Sequence, residues 1–293
     1  MTVVVGYLTG KAGASPLHLA VGAARTLQTS LAVATVVPRP WMTPSPARID
    51  AEYAQYAAQL ASTSAEQARQ VISELDSELE VTFHKFAHRS VSDGLMEAVE
   101  SLSAEALVLG SAADGKLGQV VVGSTADRLL HSCPVPLAVS PRGYRRPRSG
   151  GLSRITVAYP GTRDAVDVVE RIAALTQRLG VTMRVVTFAV RGRSMYPPLV
   201  GLSKEDLILQ EWIEQAQDSL RRLATDGVIG EDVEIVVASG SAWDEALDSI
   251  EWIEGEVLAI GTSPAGAVRR VFLGERGTKI LRYSPVPVLV LPG

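Results

Sequence analysis

The residues with the clearest chemical potential lie in the segment 110–125, which reads GSAADGKLGQVVVGST. It follows a short apolar run and leads into a stretch that we expect to be helical. Glycines let a backbone approach a ligand closely, and the first amides of a helix are unpaired donors with a positive partial charge. Gly123, Ser124 and Thr125 therefore suit an anion such as a phosphate, and Ser124 or Thr125 could also cap the helix. The alternative is an ordinary loop whose glycines serve only turns.

A second copy of the pattern lies 151 residues further along the chain. Gly110 corresponds to Gly261 and Gly123 to Gly274 (261 − 110 and 274 − 123). The phrase CPVPLAV at 133–139 returns at the same distance as SPVPVLV. A repeat of this length indicates two whole domains of roughly 145 residues rather than a solenoid.

The elements that must position these loops alternate between strands and helices, which predicts parallel strands joined by right-handed crossovers. Apolar, β-branched runs predict strands at 2–7, 31–37, 79–86, 106–109 and 137–139, then at 155–159, 182–190, 233–238, 257–260 and 288–290. Helical periodicity predicts helices at 16–27, 49–75, 126–131, 163–179, 205–225 and 242–253, and one capped by Ser92 or Asp93 that ends near Ser101.

Composition narrows the class of protein. Hydrophobic residues make up 46% of the 293 positions, enough for two cores, and the formal net charge of −4 argues against a nucleic-acid-binding surface. A single cysteine excludes an internal disulfide. We find no signal peptide at the N-terminus and no apolar run long enough to span a membrane, so we expect a cytoplasmic protein.

Both halves resemble the universal stress protein family. The family signature is a glycine, two residues, a glycine, nine residues, a glycine and then Ser or Thr, after the fourth strand. The first half has Gly110, Ala113, Gly123 and Ser124 at this spacing, and a PVPV-like phrase follows in each half. The resemblance implies two doubly wound, five-stranded parallel α/β domains with strand order 3-2-1-4-5, of the adenine nucleotide alpha hydrolase-like type.

The resemblance also implies ATP, with Mg²⁺, beside the end of the first strand, where the strand order reverses. Gly110, Gly123, Ser124 and Thr125 would hold the phosphates, and Lys116 would add a cation. The backbone near Val37 would meet adenine, Gly10 would shape the neighbouring loop, and Ala113 stands at the second signature glycine.

Both halves depart from the family pattern. Nucleotide-binding members carry an Asp just after strand one, where this chain has Leu8 and Pro160, whose side chains accept no hydrogen bond. In the second half Pro264 replaces a signature glycine, and Glu275 puts a carboxylate where a phosphate would sit. We therefore expect the second site to be inactive or repurposed, although Arg269 and Arg270 would partly offset Glu275.

The sequence predicts domains at 1–141 and 155–293 and a basic linker at 142–154. We interpret the linker as a solvated tether, and the alternative is that its arginines contact an anionic partner. As the resemblance implies, we expect the two domains to form an intramolecular pseudo-dimer through their last strands, with a further homodimer open.

Other motifs carry little chemistry. Gly115-Lys116-Leu117 lacks the hydroxyl of a P-loop, His84 and His88 lie on an expected strand without further metal ligands, and Cys133 has no paired base. We expect the tryptophans on helices to be packing residues.

Two functions stay open. In one, the protein acts in the stress response through ATP-modulated binding to an unidentified protein partner, with at most slow ATP hydrolysis. In the other, no cofactor binds and the fold is a scaffold that presents the Pro-rich loops at 38–48 and 191–201.

Overall fold

The computed structural model describes residues 2–11, 13–39, 47–113, 116–147, 150–190, 202–264, 271–272 and 274–292. It divides into two compact units, residues 1–151 and 152–291, here called the first and second repeat.

The first repeat has five strands and four helices within its described residues. They are β1 Thr2–Gly6, α1 Ser15–Leu27, β2 Ser30–Pro38, α2 Ala47–Leu75, β3 Val81–His88, α3 Val91–Ser101, β4 Ala104–Gly110, α4 Ser124–Leu130 and β5 Leu137–Ser140. The strands are parallel and follow the order β3-β2-β1-β4-β5. The predicted strand order 3-2-1-4-5 is confirmed here.

Burial explains why β1 forms the centre of this sheet. Val3, Val4 and Val5 are fully buried, so both faces of the strand are covered, as the unbroken β-branched run predicts. The strand ends at Gly6, where an added Cβ would lie 2.9 Å from Leu109 of β4. Because β1 lies between β2 and β4, its carboxyl end is the point where the strand order reverses.

The cap of helix α3 differs from its prediction. Helix α3 is capped by Ser90, whose hydroxyl accepts a hydrogen bond from the Asp93 amide at 3.4 Å. The predicted caps, Ser92 and Asp93, already lie inside the first turn. Ser90 makes the cap because its backbone is extended, as an N-cap requires, whereas Ser92 is already helical.

The second repeat follows the same plan. Its elements are β6 Arg154–Ala158, a 3₁₀ turn Arg163–Ala165, α5 Val166–Leu179, β7 Thr182–Val190, α6 Leu202–Thr225, β8 Glu234–Gly240, α7 Trp243–Asp248, β9 Glu256–Gly261, β10 Ser263–Pro264, β11 Val271–Phe272, α8 Glu275–Tyr283 and β12 Val288–Leu291. The main strands are parallel in the order β8-β7-β6-β9-β12, again 3-2-1-4-5. The short strands β10 and β11 pair antiparallel within the second glycine loop.

Helix α7 ends five residues before the predicted position, at Asp248 instead of Ile253. The Trp252 indole donates to the Leu247 carbonyl at 2.8 Å, taking the acceptor that a continuing helix would use for its own amide. Trp252 therefore lies beyond the helix on which we expected it.

A buried ionic cluster fastens the amino ends of the strands in the second repeat. The Glu256 side chain, with no exposed surface, accepts from Arg184 Nη2 at 2.6 Å and Arg154 Nη2 at 2.7 Å. It also accepts from the hydroxyl of Thr156 and from the Ile253 amide. Burial lowers the pKa of Arg184, while the Glu256 charge opposes that shift.

None of the described helices combines the length and apolar character that a membrane crossing requires.

Candidate functional site

The glycine loop of the first repeat closes on itself at the carboxyl end of β4. The Ser111 amide donates to Ser140 O at 2.9 Å, and the Ser111 hydroxyl accepts from the Val121 amide at 2.8 Å. The Ala112 amide donates back to Val121 O at 2.9 Å. A Cβ added at Gly123 would lie 3.5 Å from the Cβ of Ala112, so the two ends of the loop meet.

Helix α4 starts from this closed loop. Gly123 is its N-cap, Ser124 is its exposed first residue, and Thr125 is half-buried. No side chain caps the helix, so the predicted capping role of Ser124 or Thr125 is wrong. The residue at the cap is a glycine, which has no side-chain acceptor to offer.

A cavity of about 360 Å³ opens beside this loop in the first repeat. Two predicted residues, Gly10 and Ala113, line it. Its walls also carry three cationic side chains, those of Lys11, Arg142 and Arg145, and no carboxylate is among its described lining residues. The cavity is therefore suited to an anion.

The other predicted residues lie outside this lining. Gly110 ends β4 opposite Ser140, and Gly123 starts α4. Val37 is buried in β2 and pairs with Ala87. Lys116 is exposed, while its neighbour Leu117 reaches the cavity wall. Loop closure brings Ala112, two residues after Gly110, next to Gly123, and Lys116 is not among the described lining residues of the cavity.

Sequence reasoning missed the cations of this cavity. Lys11 stands in the segment GKAG at 10–13, shortly after strand one, and a lysine between glycines is a signal that could have indicated it. Arg142 and Arg145 were assigned to the linker. A distant segment folds back beside the first loop, and the primary sequence does not indicate that.

The start of the basic segment is held against the first repeat by hydrogen bonds. The Gly143 amide donates to the Ser15 hydroxyl at 3.0 Å, and Arg146 Nη2 donates to Leu75 O at 2.7 Å. Arg146 also lies 3.6 Å from the Asp76 carboxylate. These contacts anchor the segment 142–147 to the first repeat, while Arg142 and Arg145 stay exposed.

His18 holds the same segment from helix α1. Its Nδ1 accepts from the Arg146 amide at 3.1 Å, and its Nε2 lies 3.2 Å from Arg145 Nη1. Burial lowers the pKa of His18 to about 4, and the charges of Arg145 and Arg146 contribute to this shift. The imidazole is therefore neutral near pH 7.

The second repeat has a cleft of about 450 Å³ at the carboxyl ends of β6, β7 and β9. Gly274, Glu275, Arg276 and Gly277, at the start of α8, form one side of the cleft. The position that we expected to be inactive thus keeps an open cleft. Whether it binds a nucleotide stays a prediction, and Arg269 and Arg270 lie outside the described residues.

Aromatic side chains line this cleft. The rings of Phe188 and Trp243 lie 6.2 Å apart at 50°, and Tyr159 forms part of the floor. We expected Trp243 to be a packing residue, yet it stands half-buried at the first position of α7. The cleft of the second repeat is therefore mostly apolar, unlike the cationic cavity of the first.

The remaining candidate residues have local structural partners. His84 Nε2 lies 2.9 Å from the Thr82 hydroxyl, and His88 Nδ1 accepts from the Ser90 amide at 3.2 Å. Burial raises the pKa of the Cys133 thiol. Within the described ranges, no group of three or more His, Cys, Asp or Glu side chains could hold a metal ion.

Comparison with known proteins addresses the family directly. The sequence profile described as the Universal stress protein family matches residues 1–141 and 151–292. A universal stress protein of Mycobacterium tuberculosis (strain H37Rv) is 55% identical over 293 residues, 100% of each chain. A universal stress protein of Synechocystis is 20% identical over 67% of this chain and 61% of its own length.

Solved structures agree on the fold. The crystal structure of a universal stress protein from Archaeoglobus fulgidus has a TM-score of 0.63 at 17% identity, covering 99% of this chain and 98% of its own. A putative universal stress protein from Pseudomonas aeruginosa gives 0.58 at 14% identity, with coverage of 99% and 92%. The profile match to both repeats and the full-length relative show that this chain belongs to the universal stress protein family, as a tandem pair of family domains.

Proposed function

We propose that this protein acts in the stress response by binding an anionic nucleotide, ATP with Mg²⁺, in its first repeat. In this proposal the bound nucleotide alters contacts with a protein partner. The observation that carries it is the cationic cavity at the carboxyl end of β1 and β4, with Lys11, Arg142 and Arg145 on its wall. Family membership supports the same assignment.

The cavity has the backbone that phosphate binding needs. Gly10 has a φ of +75° and nothing within 4 Å of the place where a Cβ would stand, so its backbone is accessible. Gly110 and Gly123 lie at the two joined ends of the neighbouring loop. In this proposal the glycines admit the phosphates and the cations neutralise them.

We propose binding rather than efficient catalysis. A hydrolytic step would need a base positioned to deprotonate water, and neither a carboxylate nor a histidine is among the described lining residues. His18 contacts Arg145 from outside the lining. In this proposal the nucleotide acts as a ligand that alters contacts with a protein partner, and it is not a substrate that is turned over efficiently.

A second candidate is a nucleotide-independent scaffold. Leu8 and Pro160 follow the first strand of each repeat and offer no side-chain acceptor to a ribose. The Pro-rich loops that such a scaffold would present lie mostly outside the described residues. Pairing of the two repeats, a further homodimer and a cytoplasmic location stay predictions.

Calorimetric titration of the full chain with Mg-ATP tests the proposal. Lys11→Glu should weaken binding about ten-fold or more, because it replaces an attraction with a repulsion, whereas the neutral Lys11→Gln should weaken it less. Ser124→Glu, with Ser124→Gln as its size-matched control, tests the glycine loop at an exposed first helical position that tolerates an acid.

The result has two clear readings. Binding that is lost on charge reversal and retained in the neutral controls supports nucleotide binding in the first repeat. No binding up to millimolar ATP contradicts the proposal and favours the scaffold. Binding that is insensitive to all four variants contradicts the site in the first repeat.

A further inference from the structure

We propose that the cleft of the second repeat binds a flat aromatic ligand that carries no phosphate group, either uncharged or cationic. This site is independent of the nucleotide site proposed for the first repeat. Three observations about the described residues carry the inference: the size of the cleft, its aromatic wall and the sign of its charge.

The cleft has the size and position of a small-molecule site. Its volume of about 450 Å³ lies within the range in which compact organic ligands are enclosed. It stands where the order of the strands reverses, between β6 and β9. A neighbouring cavity of about 370 Å³ shares Phe188, Trp243 and Arg276 with it and also reaches Trp212. The two spaces together admit a ligand larger than a single ring.

The aromatic wall is particular to the second repeat. Strand register aligns β7 with β2 at an offset of 152 (182 − 30), so Phe188 occupies the place of Val36. The N-caps of α7 and α3, Ala242 and Ser90, have the same offset, so Trp243 occupies the place of Val91. Two valines in one repeat thus correspond to an aromatic pair in the other. Aromatic faces bind flat rings by stacking, which aliphatic side chains do not provide.

The charge of the cleft disfavours a polyphosphate. Its described lining contains two carboxylates, Asp164 and Glu275, against one guanidinium, Arg276. Glu275 is the first residue of α8, so its carboxylate already lies at the helix end that would otherwise attract a phosphate. Pro160, at the exit of β6, has neither an amide proton nor a polar side chain to offer. An uncharged or cationic ring avoids the repulsion that ATP would meet.

Adenosine and Mg-ATP form a matched pair of probes because they share the base and ribose and differ in the phosphates. In calorimetric titrations of the full chain carrying Ser124→Glu and Lys11→Glu, adenosine should bind at least about ten-fold more tightly than ATP. Glu275→Gln should strengthen ATP binding about ten-fold and change adenosine binding less than about two-fold. Adenosine weaker than ATP, or no adenosine binding up to millimolar concentration, overturns the proposal.

Exchanging the wall residues locates the ligand. Phe188→Val installs the residue of the first repeat and should weaken adenosine about ten-fold, since a stacked ring is lost. Trp243→Val makes the same test at a half-buried position if the first variant fails to fold. Adenosine binding that is unchanged in a folded variant overturns the site. Because these substitutions lie in the second repeat, failure here is separable from failure of the nucleotide proposal, which depends on Lys11 and Ser124.

Discussion

The carboxyl ends of the strands have opposite chemistry in the two repeats. In the first, Lys11, Arg142 and Arg145 surround a polar cavity. In the second, Phe188 and Trp243 form an aromatic wall, with Glu275 at the start of the last helix. Both repeats share one strand order, so this difference arises from the side chains at the strand ends and in the loops, not from the topology. One duplicated fold thus supports two kinds of site.

The amino ends of the strands differ as well. The second repeat buries Arg154, Thr156, Arg184 and Glu256 as one ionic cluster. Strand register places Thr2, Val4 and Ala32 at the positions of Arg154, Thr156 and Arg184, and the 151-residue repeat places Glu105 at the position of Glu256. The first repeat therefore keeps the glutamate but has no counterpart of the two arginines that contact it in the second. Removing one partner from a buried ionic cluster leaves an uncompensated charge, so the second repeat should be more sensitive to a single substitution here than the first.

The largest expected effect comes from Glu256→Gln. This change leaves the buried guanidinium groups of Arg154 and Arg184 without their shared carboxylate, and it should lower the free energy of unfolding of the second repeat by about 3–5 kcal/mol. Hydrogen exchange measured by mass spectrometry on the intact chain assigns the loss to one repeat.

Glu234→Gln is the matched control, since Glu234 contacts Arg154 at 3.3 Å from a half-exposed position. It should cost less than about 1 kcal/mol. Equal effects of the two substitutions, or a loss shared by both repeats, would show that the cluster does not distinguish the two folds.

A smaller effect is expected in the pH dependence of stability, which should differ between the two repeats. His18 has a pKa of about 4 when folded and an ordinary value near 6.5 when unfolded, so protonation below pH 6.5 favours the unfolded chain. The first repeat should lose about 2 kcal/mol of unfolding free energy between pH 7 and pH 5. The second repeat has no histidine at the equivalent position. Glu170 lies ten residues before the C-cap Gly180, as His18 lies ten residues before the C-cap Gln28.

Urea unfolding of the wild type and of His18→Asn at both pH values measures this effect. The asparagine oxygen keeps an acceptor for the Arg146 amide but does not titrate in this range. If His18 is responsible, the variant should lose less unfolding free energy between pH 7 and pH 5 than the wild type. An equal loss in the two proteins would refute the assignment to His18.

The smallest effect concerns matching helix caps. Ser90 caps α3, while Ala242, at the same place before α7, makes no side-chain cap. Ser90→Ala should cost about 1 kcal/mol, and Ala242→Ser should gain up to about 1 kcal/mol. The urea midpoints of both variants, each compared with the wild type, measure these changes. A loss of stability in Ala242→Ser would contradict the prediction.

The sequence predicted the fold well because its signals are local. Unbroken β-branched runs such as 2–7 and 182–190 indicated strands covered on both faces, and the strands lie there within a residue or two. The duplication at 151 residues gave two domains, and the family resemblance supplied the strand order, which is confirmed. The predicted end of α7 was wrong because the Trp252 indole bonds back to Leu247 and two arginines from distant strands bind the Glu251 carbonyl.

The sites depended on the tertiary structure. The sequence by itself determined the strands, the helices, the glycine loops and their repetition, since each depends on neighbouring residues. Only the fold placed Arg145 beside Lys11, 134 positions earlier (145 − 11), or Trp243 beside Phe188. Such contacts join segments separated by whole helices, and their charge and shape complementarity exists only after the sheet has brought the strand ends together.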